Sequence, residues 1–310
     1  MSTEEIKKKL DELKTLARAA EINVSEELER LEAKVESRTE AELAWKHVEL
    51  ARHPQRPYSL DYISRIFEGF IELHGDRFFG DDPAIVGGIG FLEGRPVTVL
   101  ANQKGRTVDE NTHRNFGMAS PEGYRKALRL AREAEKFHRP IITIVDTTGA
   151  YPGLGAEERG IGEAIARNLM CFSQLKTPII CIIIGEGGSG GALGLCIGDK
   201  IYMLENAIYS VISPEGCASI LLRDATKAKD AAAMLRITSA DLLEFKVING
   251  IITEPSGGAH TDKDAAAALI KKTLVKELDD LCRRNPAVLA RYRSQKILKI
   301  GHWNEGGESA

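Results

Sequence analysis

The sequence predicts an α/β protein whose strands are stacked or wound side by side, with two glycine-rich turns on one edge of the sheet. The buried strand PIITIVD (140–146) runs into the turn TTGAYPGLG and then into a helical stretch. The strand PIICIII (178–184) likewise runs into the turn GEGGSGG and a short helix. This order of strand, glycine turn and helix occurs twice within about fifty residues, which is typical of wound α/β architectures.

The composition is that of a globular chain with a large core. Of the 310 residues, 43% are hydrophobic and 28% are charged, and the net charge of -3 offers no basic field for nucleic acid. The longest apolar run, Ile179–Ile184, is too short to span a bilayer, and the start MSTEEIKKKL has no apolar signal region. Five cysteines occur without a CxxC pair, so we expect reduced thiols, no metal site and a cytoplasmic location.

Composition also predicts the domain organisation. Residues 1–50 carry apolar positions at helical spacing on both sides of Asn23, which predicts an arm of two helices. This arm either packs on its own domain or contacts a second chain. The prolines of HPQRPY (53–58) mark a boundary, so 51–300 is predicted to be the main domain and 301–310 a frayed tail.

Within the main domain the alternation of apolar and turn residues predicts the order of elements. A hairpin turns at the Glu-Gly pair of IVGGIGFLEGRPVTVLANQ, and the next helix is capped by Ser120. The predicted elements in order are the hairpin 85–103, a helix over 121–138, the strand 140–146, a helix over 157–175, the strand 178–184, a short helix containing 192–197, two short strands within 200–212, a helix that begins at 213–215 and a helix over 262–284.

The second glycine turn matches two sequence patterns at once. Its residues 185–190 spell G-x-G-x-x-G, typical of dinucleotide binding, and Glu205 follows at the distance of a ribose-binding acid. Glycines interrupt the following helix, however, which disfavours that interpretation. Residues 187–191 spell G-x-S-x-G, which would make Ser189 a nucleophile with His260 or His302 as its base.

A third interpretation rests on the main chain alone. Consecutive glycines allow a ligand to approach the backbone closely, and N–H groups at the start of a helix converge with the positive end of its dipole. Paired amides of this kind form an oxyanion hole, which stabilises negative charge on a carbonyl or ureido oxygen. Close packing of helix on strand is the alternative role for these glycines.

Several long motifs resemble one known family. They are LARHPQRPY (50–58), NFGMASPEGYRKALRL (115–130), GAYPGLGAEERG (149–160), IGEGGSGGAL (184–193) and YSVISPEGCASIL (209–221). From about residue 45 to 260 the chain is similar to carboxyltransferase α subunits of bacterial-type acetyl-CoA carboxylase. The arm and the C-terminal helix match more loosely.

The resemblance implies a crotonase-like fold, a spiral of repeated ββα units with surrounding helices. It implies transfer of a carboxyl group from carboxybiotin to acetyl-CoA, giving malonyl-CoA for fatty-acid synthesis. It also implies an α2β2 heterotetramer with a β subunit that carries a zinc ribbon, a biotin carboxyl carrier protein that supplies the biotin, and biotin carboxylase in the wider complex. This chain has no Met-Lys-Met site for biotin attachment, so we expect no covalently bound cofactor in it.

Carried onto this sequence, the resemblance assigns the biotin-side amides to Gly190 and Gly191. The biotin anion left when carboxybiotin gives up its carboxyl group can itself take the α-proton of the thioester, so no catalytic histidine or glutamate is needed. By the repeat, the first turn either lines the same cleft or is a simple connection; Thr148 stands there where the family usually has proline. The expected cleft residues are Gly149, Ala150, Tyr151, Gly188, Ser189 and Ala192. Basic candidates for CoA phosphates or a partner chain are Arg106, Arg125 and Lys126, with a solvated helix face as the alternative.

Three other functions remain open at the level of sequence. An acyl-CoA hydrolase or isomerase of the same fold would act on thioesters without a partner. A serine hydrolase would depend on Ser189, and a non-catalytic scaffold would not depend on the glycines of the second turn.

Overall fold

The computed structural model describes residues 25–301 and, before them, positions 8, 9, 12 and 15. The chain divides into two compact units. One comprises the described part of 1–48 together with Pro214–Arg236, and the other comprises Glu49–Ser213 with the described residues from Ile237 on. The predicted boundaries at residues 50 and 300 stay predictions, and the first predicted arm helix and the tail after 301 lie outside the described residues.

The larger unit is built on one mixed sheet. Its strands in the described part of the chain are β1 (Glu68–Glu72), β2 (Ile85–Leu92), β3 (Arg95–Asn102), β4 (Ile141–Thr147), β5 (Ile179–Gly188), β6 (Lys200–Leu204), β7 (Ile208–Ser210) and β8 (Gly250–Ile252). Their order is β1-β2-β3-β4-β5-β6-β8, and β7 pairs with the end of β5. The predicted hairpin is present as β2 and β3, with Glu93 and Gly94 at positive φ in its turn.

The parallel part of the sheet positions the two glycine turns. Strands β3, β4, β5 and β6 run parallel, and every residue of β4 is buried. Such continuous burial explains why PIITIVD and PIICIII read as apolar runs rather than as alternating patterns. Because β4 and β5 are neighbours, their carboxyl ends, and hence both glycine turns, lie on one edge as predicted.

Helices pack around this sheet and also form the smaller unit. The described helices are α1 (Ser25–Ala51), α2 (Ser59–Ile66), α3 (Val108–His113), α4 (Pro121–Lys136), α5 (Leu154–Glu158), α6 (Ile161–Gln174), α7 (Ser189–Leu193), α8 (Pro214–Cys217), α9 (Ala228–Leu235), α10 (Ser239–Glu244), α11 (Lys263–Leu281) and α12 (Pro286–Leu298). Short 3-10 segments cover Asn115–Gly117 and Ala225–Lys227, and Ala218–Leu222 forms one π-helical turn. None of the helices in the described part combines the length and apolar character that a membrane span needs.

Two helices differ from the sequence prediction. The helix expected over 157–175 is instead α5 followed by α6, because Gly160 between them takes a left-handed φ of 80°. The short helix expected to contain Ala192–Ile197 instead spans Ser189–Leu193, so that Gly190 and Gly191 are helical and residues 194–197 lie outside it. Ser120 occupies the predicted cap position of α4, but its side chain makes no capping hydrogen bond.

Candidate functional site

The two glycine turns touch each other through their main chains. The turn after β4 begins at Thr147, and the turn after β5 begins at Gly188. A Cβ atom on Gly191 would overlap the peptide that joins Gly149 to Ala150, and a Cβ atom on Gly188 would overlap the Thr148 carbonyl group. Only glycine at these two positions allows this approach.

The second turn ends in α7, a helix of five residues that starts at Ser189. The first amides of a helix have no acceptor within it. Among the described residues, no group outside α7 accepts a hydrogen bond from the amides of Gly190 or Gly191. Gly190 is partly exposed, and a Cβ atom there would meet only Ile165, at 3.9 Å. The amide of Gly190 is therefore available to a ligand that approaches the turn, and the amide of the buried Gly191 also lacks an acceptor outside α7 in the described part of the chain.

A buried tyrosine, Tyr124, contacts the second turn and helix α7. The hydroxyl of Tyr124 donates a hydrogen bond to the carbonyl of Gly191 at 3.1 Å, and burial raises the pKa of Tyr124, so this donor keeps its proton. A Cβ atom on Gly194 would lie 2.6 Å from the Tyr124 ring. The ring fills the space that glycine leaves, which fixes the position of α7.

An ion network joins the strand ends just before the two turns. The ammonium group of Lys104 donates to Asp146 Oδ1 at 2.7 Å and to Glu186 Oε2 at 3.0 Å, and the amide of Glu186 donates to the same Asp146 oxygen at 2.9 Å. Arg52 Nε binds the other Glu186 oxygen at 2.7 Å. A Cβ atom on Gly185 would lie 2.5 Å from Asp146 Oδ1, so glycine is needed there too.

The pKa values in this network follow from burial and charge. Burial by itself lowers the pKa of Lys104, but the carboxylates of Asp146 and Glu186 outweigh it and hold that pKa above its usual value. Burial raises the pKa of Glu186, but the charges and hydrogen bonds of Lys104 and Arg52 outweigh it and leave that pKa below its usual value. Lys104 and Glu186 are therefore charged at neutral pH, and their ion pairs fix the spacing of β4 and β5 at the turns.

Sequence reasoning did not find this network. One signal was present, since Asp146 and Glu186 each precede a glycine turn. Sequence reasoning also missed a strained segment beside it, in which Asn115, Phe116 and Gly117 have φ values of 47°, 56° and 77°. Left-handed backbone at residues other than glycine costs free energy and clusters at functional sites.

The first turn is held by local hydrogen bonds. The Thr147 hydroxyl donates to the Gly149 carbonyl at 2.7 Å, and the Tyr151 amide donates to the Ala119 carbonyl at 3.0 Å. Ala150 and Tyr151 are half-buried, and Thr148, which replaces the family's usual proline, is exposed. Of the other expected cleft residues, Ser189 is half-buried and Ala192 is buried.

The basic candidates all bind groups of this chain. Lys126 has no exposed side chain and binds Asp81 and the Asp82 carbonyl. Arg125 binds Asp76 and Glu122. Arg106 binds Asp61 and stacks 4.2 Å from the centre of the Tyr58 ring, with 34% of its side chain exposed. Their assignment to CoA phosphates stays a prediction.

No catalytic triad forms around Ser189 in the described residues. Ser189 has a left-handed φ of 52°, but it makes no hydrogen bond to a histidine there. His260 instead stacks on His53, with ring centres 3.7 Å apart. His302, the other candidate base, lies outside the described residues.

An apolar groove of 230 Å³ lies beside the second turn. Its lining residues are Ser189, Leu193, Tyr209, Ser210, Val211 and Leu242. Val211 is 76% exposed and Leu193 is 40% exposed, so the groove is open to solvent. An apolar substrate portion in this groove would lie next to α7.

Solved structures with the same architecture define the class of fold. A transcarboxylase 12S structure with methylmalonyl-coenzyme A and methylmalonic acid bound matches with a TM-score of 0.60 at 18% identity, over 80% of this chain and 43% of that chain. A Pseudomonas malonate decarboxylase hetero-dimer matches with a TM-score of 0.55 at 19% identity, over 70% and 89% of the two chains. This chain spans less than half the length of the transcarboxylase chain. The protein is thus of the crotonase-like class, as its motifs predicted.

Sequence comparison then identifies the family. The model of the family described as "Acetyl co-enzyme A carboxylase carboxyltransferase-like" matches residues 1–301. The "Acetyl-coenzyme A carboxylase carboxyl transferase subunit alpha" of Treponema denticola is 66% identical over 305 residues, which are 98% of this chain and 100% of the relative. The protein of the same name from Listeria monocytogenes is 54% identical over 301 residues, 96% and 95% of the two chains. The chain belongs to the acetyl-coenzyme A carboxylase carboxyltransferase family, which confirms the predicted resemblance.

Proposed function

We propose that this chain is the carboxyltransferase α subunit of an acetyl-CoA carboxylase and that its Gly190 and Gly191 amides bind the ureido oxygen of biotin. The observation that carries this assignment of the amides is the second turn, where two helix-start amides have no acceptor in the described chain. The names of the Treponema and Listeria relatives support the same assignment of the chain.

The chain contributes to the reaction through its main chain. When a carboxyl group leaves carboxybiotin, negative charge grows on the ureido oxygen, and two fixed N–H donors stabilise that charge. Donors of this kind are effective because they are already oriented and do not reorganise during the reaction. Tyr124 and the Lys104 network supply that fixed orientation, and the groove beside α7 suits the apolar part of the biotin group.

The remaining components come from other chains. The name "subunit alpha" of the relatives supports a partner subunit, which we assign as a zinc-bearing β chain in an α2β2 heterotetramer. A biotin carboxyl carrier protein supplies carboxybiotin, biotin carboxylase recharges it, and the β chain binds the thioester of acetyl-CoA. We assign the whole assembly to the cytoplasm.

Malonyl-CoA-dependent carboxylation of free biotin, the reverse reaction, tests the proposal. We expect no rate with this chain alone, a rate after addition of its matching β chain, and a loss of about a hundredfold or more in kcat with Gly190→Pro. Proline removes the amide hydrogen and is tolerated in the first turn of a helix, but it disfavours the left-handed φ of Ser189 before it, so the stability of this variant is measured as well. Gly190→Ala keeps the amide and has space for its Cβ atom, so it should keep most of the rate.

Both variants need the same unfolding temperature and the same affinity for the β chain as the wild type. With these equal, a Gly190→Pro enzyme as fast as Gly190→Ala would refute the role of the amide. Thioester turnover by the chain alone would refute the subunit assignment.

Replacement of Ser189 by alanine should leave the rate of the assembled enzyme nearly unchanged, because the hydroxyl has no histidine partner in the described residues. A fluorophosphonate probe should label neither the wild type nor the variant. Labelling of the wild type that disappears in Ser189→Ala would instead identify a serine hydrolase.

A further inference from the structure

The loop of residues 74–82, between β1 and β2, presents two phenylalanines to solvent. The side chain of Phe78 is 85% exposed and that of Phe79 is 66% exposed. Full burial of a phenylalanine side chain is worth about 1.5 to 3 kcal/mol, so an adjacent exposed pair is a candidate contact surface for another molecule. This loop is called the aromatic loop below.

The aromatic loop is held in one conformation by hydrogen bonds. Asp76 Oδ1 accepts the amides of Phe78 and Phe79 at 2.8 Å and that of Gly80 at 3.0 Å, while the Asp76 amide donates to the Gly80 carbonyl at 2.8 Å. The Asp76 side chain is fully buried. Because the loop is ordered in advance, a partner that binds it pays little conformational entropy.

Two guanidinium groups hold the aromatic rings. Arg125 lies 5.3 Å from the centre of the Phe78 ring, and Arg159 lies 4.8 Å from the centre of the Phe79 ring. Acidic groups neutralise both cations: Arg125 binds Asp76 at 2.8 Å, and both arginines bind Glu122, at 2.7 and 2.8 Å. Two positive and two negative side chains thus form an ion cluster with no net charge beneath the two phenylalanine rings.

This ion cluster connects the aromatic loop to the segment that follows the first glycine turn. Arg125 also donates to the Arg159 carbonyl at 3.0 Å, and Arg159 directly follows α5. Helix α5 begins straight after that turn with Leu154, whose side chain is 76% exposed. The exposed apolar residues therefore occur on the aromatic loop and on α5, which one ion cluster joins, and α5 follows the first glycine turn directly in the chain.

We propose that the aromatic loop, with Leu154, is a docking surface for the β chain and that Phe78 and Phe79 are its anchors. This inference rests on the proposed function, in which the site is completed by that chain. Aromatic side chains and arginines are both enriched in the centre of stable protein interfaces.

Other occupants fit the chemistry less well. A nucleic acid or an anionic membrane would need cations free for phosphate, whereas Arg125 and Arg159 are both paired within the chain. A carrier protein must dissociate in every cycle, and transient contacts are less apolar than permanent ones.

Equilibrium binding of the full chain to its matching β chain tests the proposal, with Phe78→Ala, Phe79→Ala and the double variant. Truncation of an anchor costs more than 1 kcal/mol, so we expect each single variant to raise Kd about tenfold and the double variant about a hundredfold. Leu154→Lys, on the separate helix α5, should also raise Kd. Far-ultraviolet circular dichroism and unfolding temperatures should match the wild type, because the replaced side chains are exposed.

Phe137→Ala is the matched control. Phe137 is 58% exposed, and its ring centre lies 5.1 Å from the Arg139 guanidinium group and 5.5 Å from the Lys136 ammonium group. It follows α4 and precedes β4, whose opposite end carries the first glycine turn. Its Kd should stay within about twofold of the wild-type value.

Three outcomes would overturn the proposal. A wild-type chain that forms no complex with the β chain would refute the proposed function and this surface together. A double variant that binds the β chain as tightly as the wild type would refute this surface alone. If the double variant no longer self-associates in the absence of the β chain, but still binds the β chain as tightly as the wild type does, the surface is a contact between copies of this chain.

Discussion

Replacement of Gly191 by alanine is expected to lower the rate of the assembled enzyme at least about a hundredfold. The new Cβ atom would overlap the peptide between Gly149 and Ala150, so the two glycine turns would have to separate. Separation moves the Gly191 amide away from the oxygen that we propose it stabilises, and it disturbs the hydrogen bond from Tyr124 to the Gly191 carbonyl. Overpacking of this kind also lowers the free energy of unfolding, by about 1 to 3 kcal/mol.

Gly149→Ala is the control on the opposite side of the same contact. A Cβ atom on Gly149 meets nothing within 4 Å, and this residue has no positive φ, so alanine fits without strain. Urea denaturation and the biotin carboxylation rate of both variants, each mixed with the β chain, are the measurements. Equal effects of the two replacements would show that the contact between the turns does not control the rate.

The position of the glycine turns could be predicted from sequence because two simple rules act there. Apolar runs that end in glycine clusters mark buried parallel strands, and parallel neighbours place their carboxyl ends together. The length of β5 could not be predicted in the same way. Its last four residues, 185–188, have no apolar side chains, and three of them remain part of the strand because they pair with β7.

Contacts between distant residues explain the other differences. Lys104 lies 42 residues from Asp146 and 82 from Glu186, so no local pattern reveals that their side chains meet. Gly160 alone indicates a break, since glycine often ends helices, but the helical spacing of apolar residues continues across it and hides the break. The position of the candidate site was the more predictable part, because it depends on glycine residues, which the sequence displays directly.

Replacement of Lys104 by methionine is expected to cost about 3 to 5 kcal/mol in the free energy of unfolding. The change leaves Asp146 and Glu186 in the interior with only Arg52 beside them, and an uncompensated buried charge is strongly unfavourable. Lys271→Met is the matched control, because Lys271 pairs with Glu93 at the surface, where both side chains are partly exposed. That replacement should change stability little.

The loss of stability caused by Lys104→Met should grow as the pH rises. In the wild type the pKa of Glu186 is below its usual 4.5, so the stability that this carboxylate contributes is present above that pH and is lost in acid. Without Lys104, burial is opposed only by Arg52, and the pKa of Glu186 in the folded state rises. The folded variant then binds more protons than the folded wild type, so its deficit is larger at pH 8 than at pH 5.

Urea denaturation of the wild type, Lys104→Met and Lys104→Met/Glu186→Gln at these two pH values separates charge from packing. Glutamine cannot ionise, so the double variant should lose most of the added pH dependence and recover part of the stability at pH 8. A single variant whose deficit is the same at both pH values would mean that methionine costs packing rather than leaving a charge unpaired. In that case the glycine turns would be spaced by the hydrogen bond from the Glu186 amide to Asp146 rather than by the ammonium group.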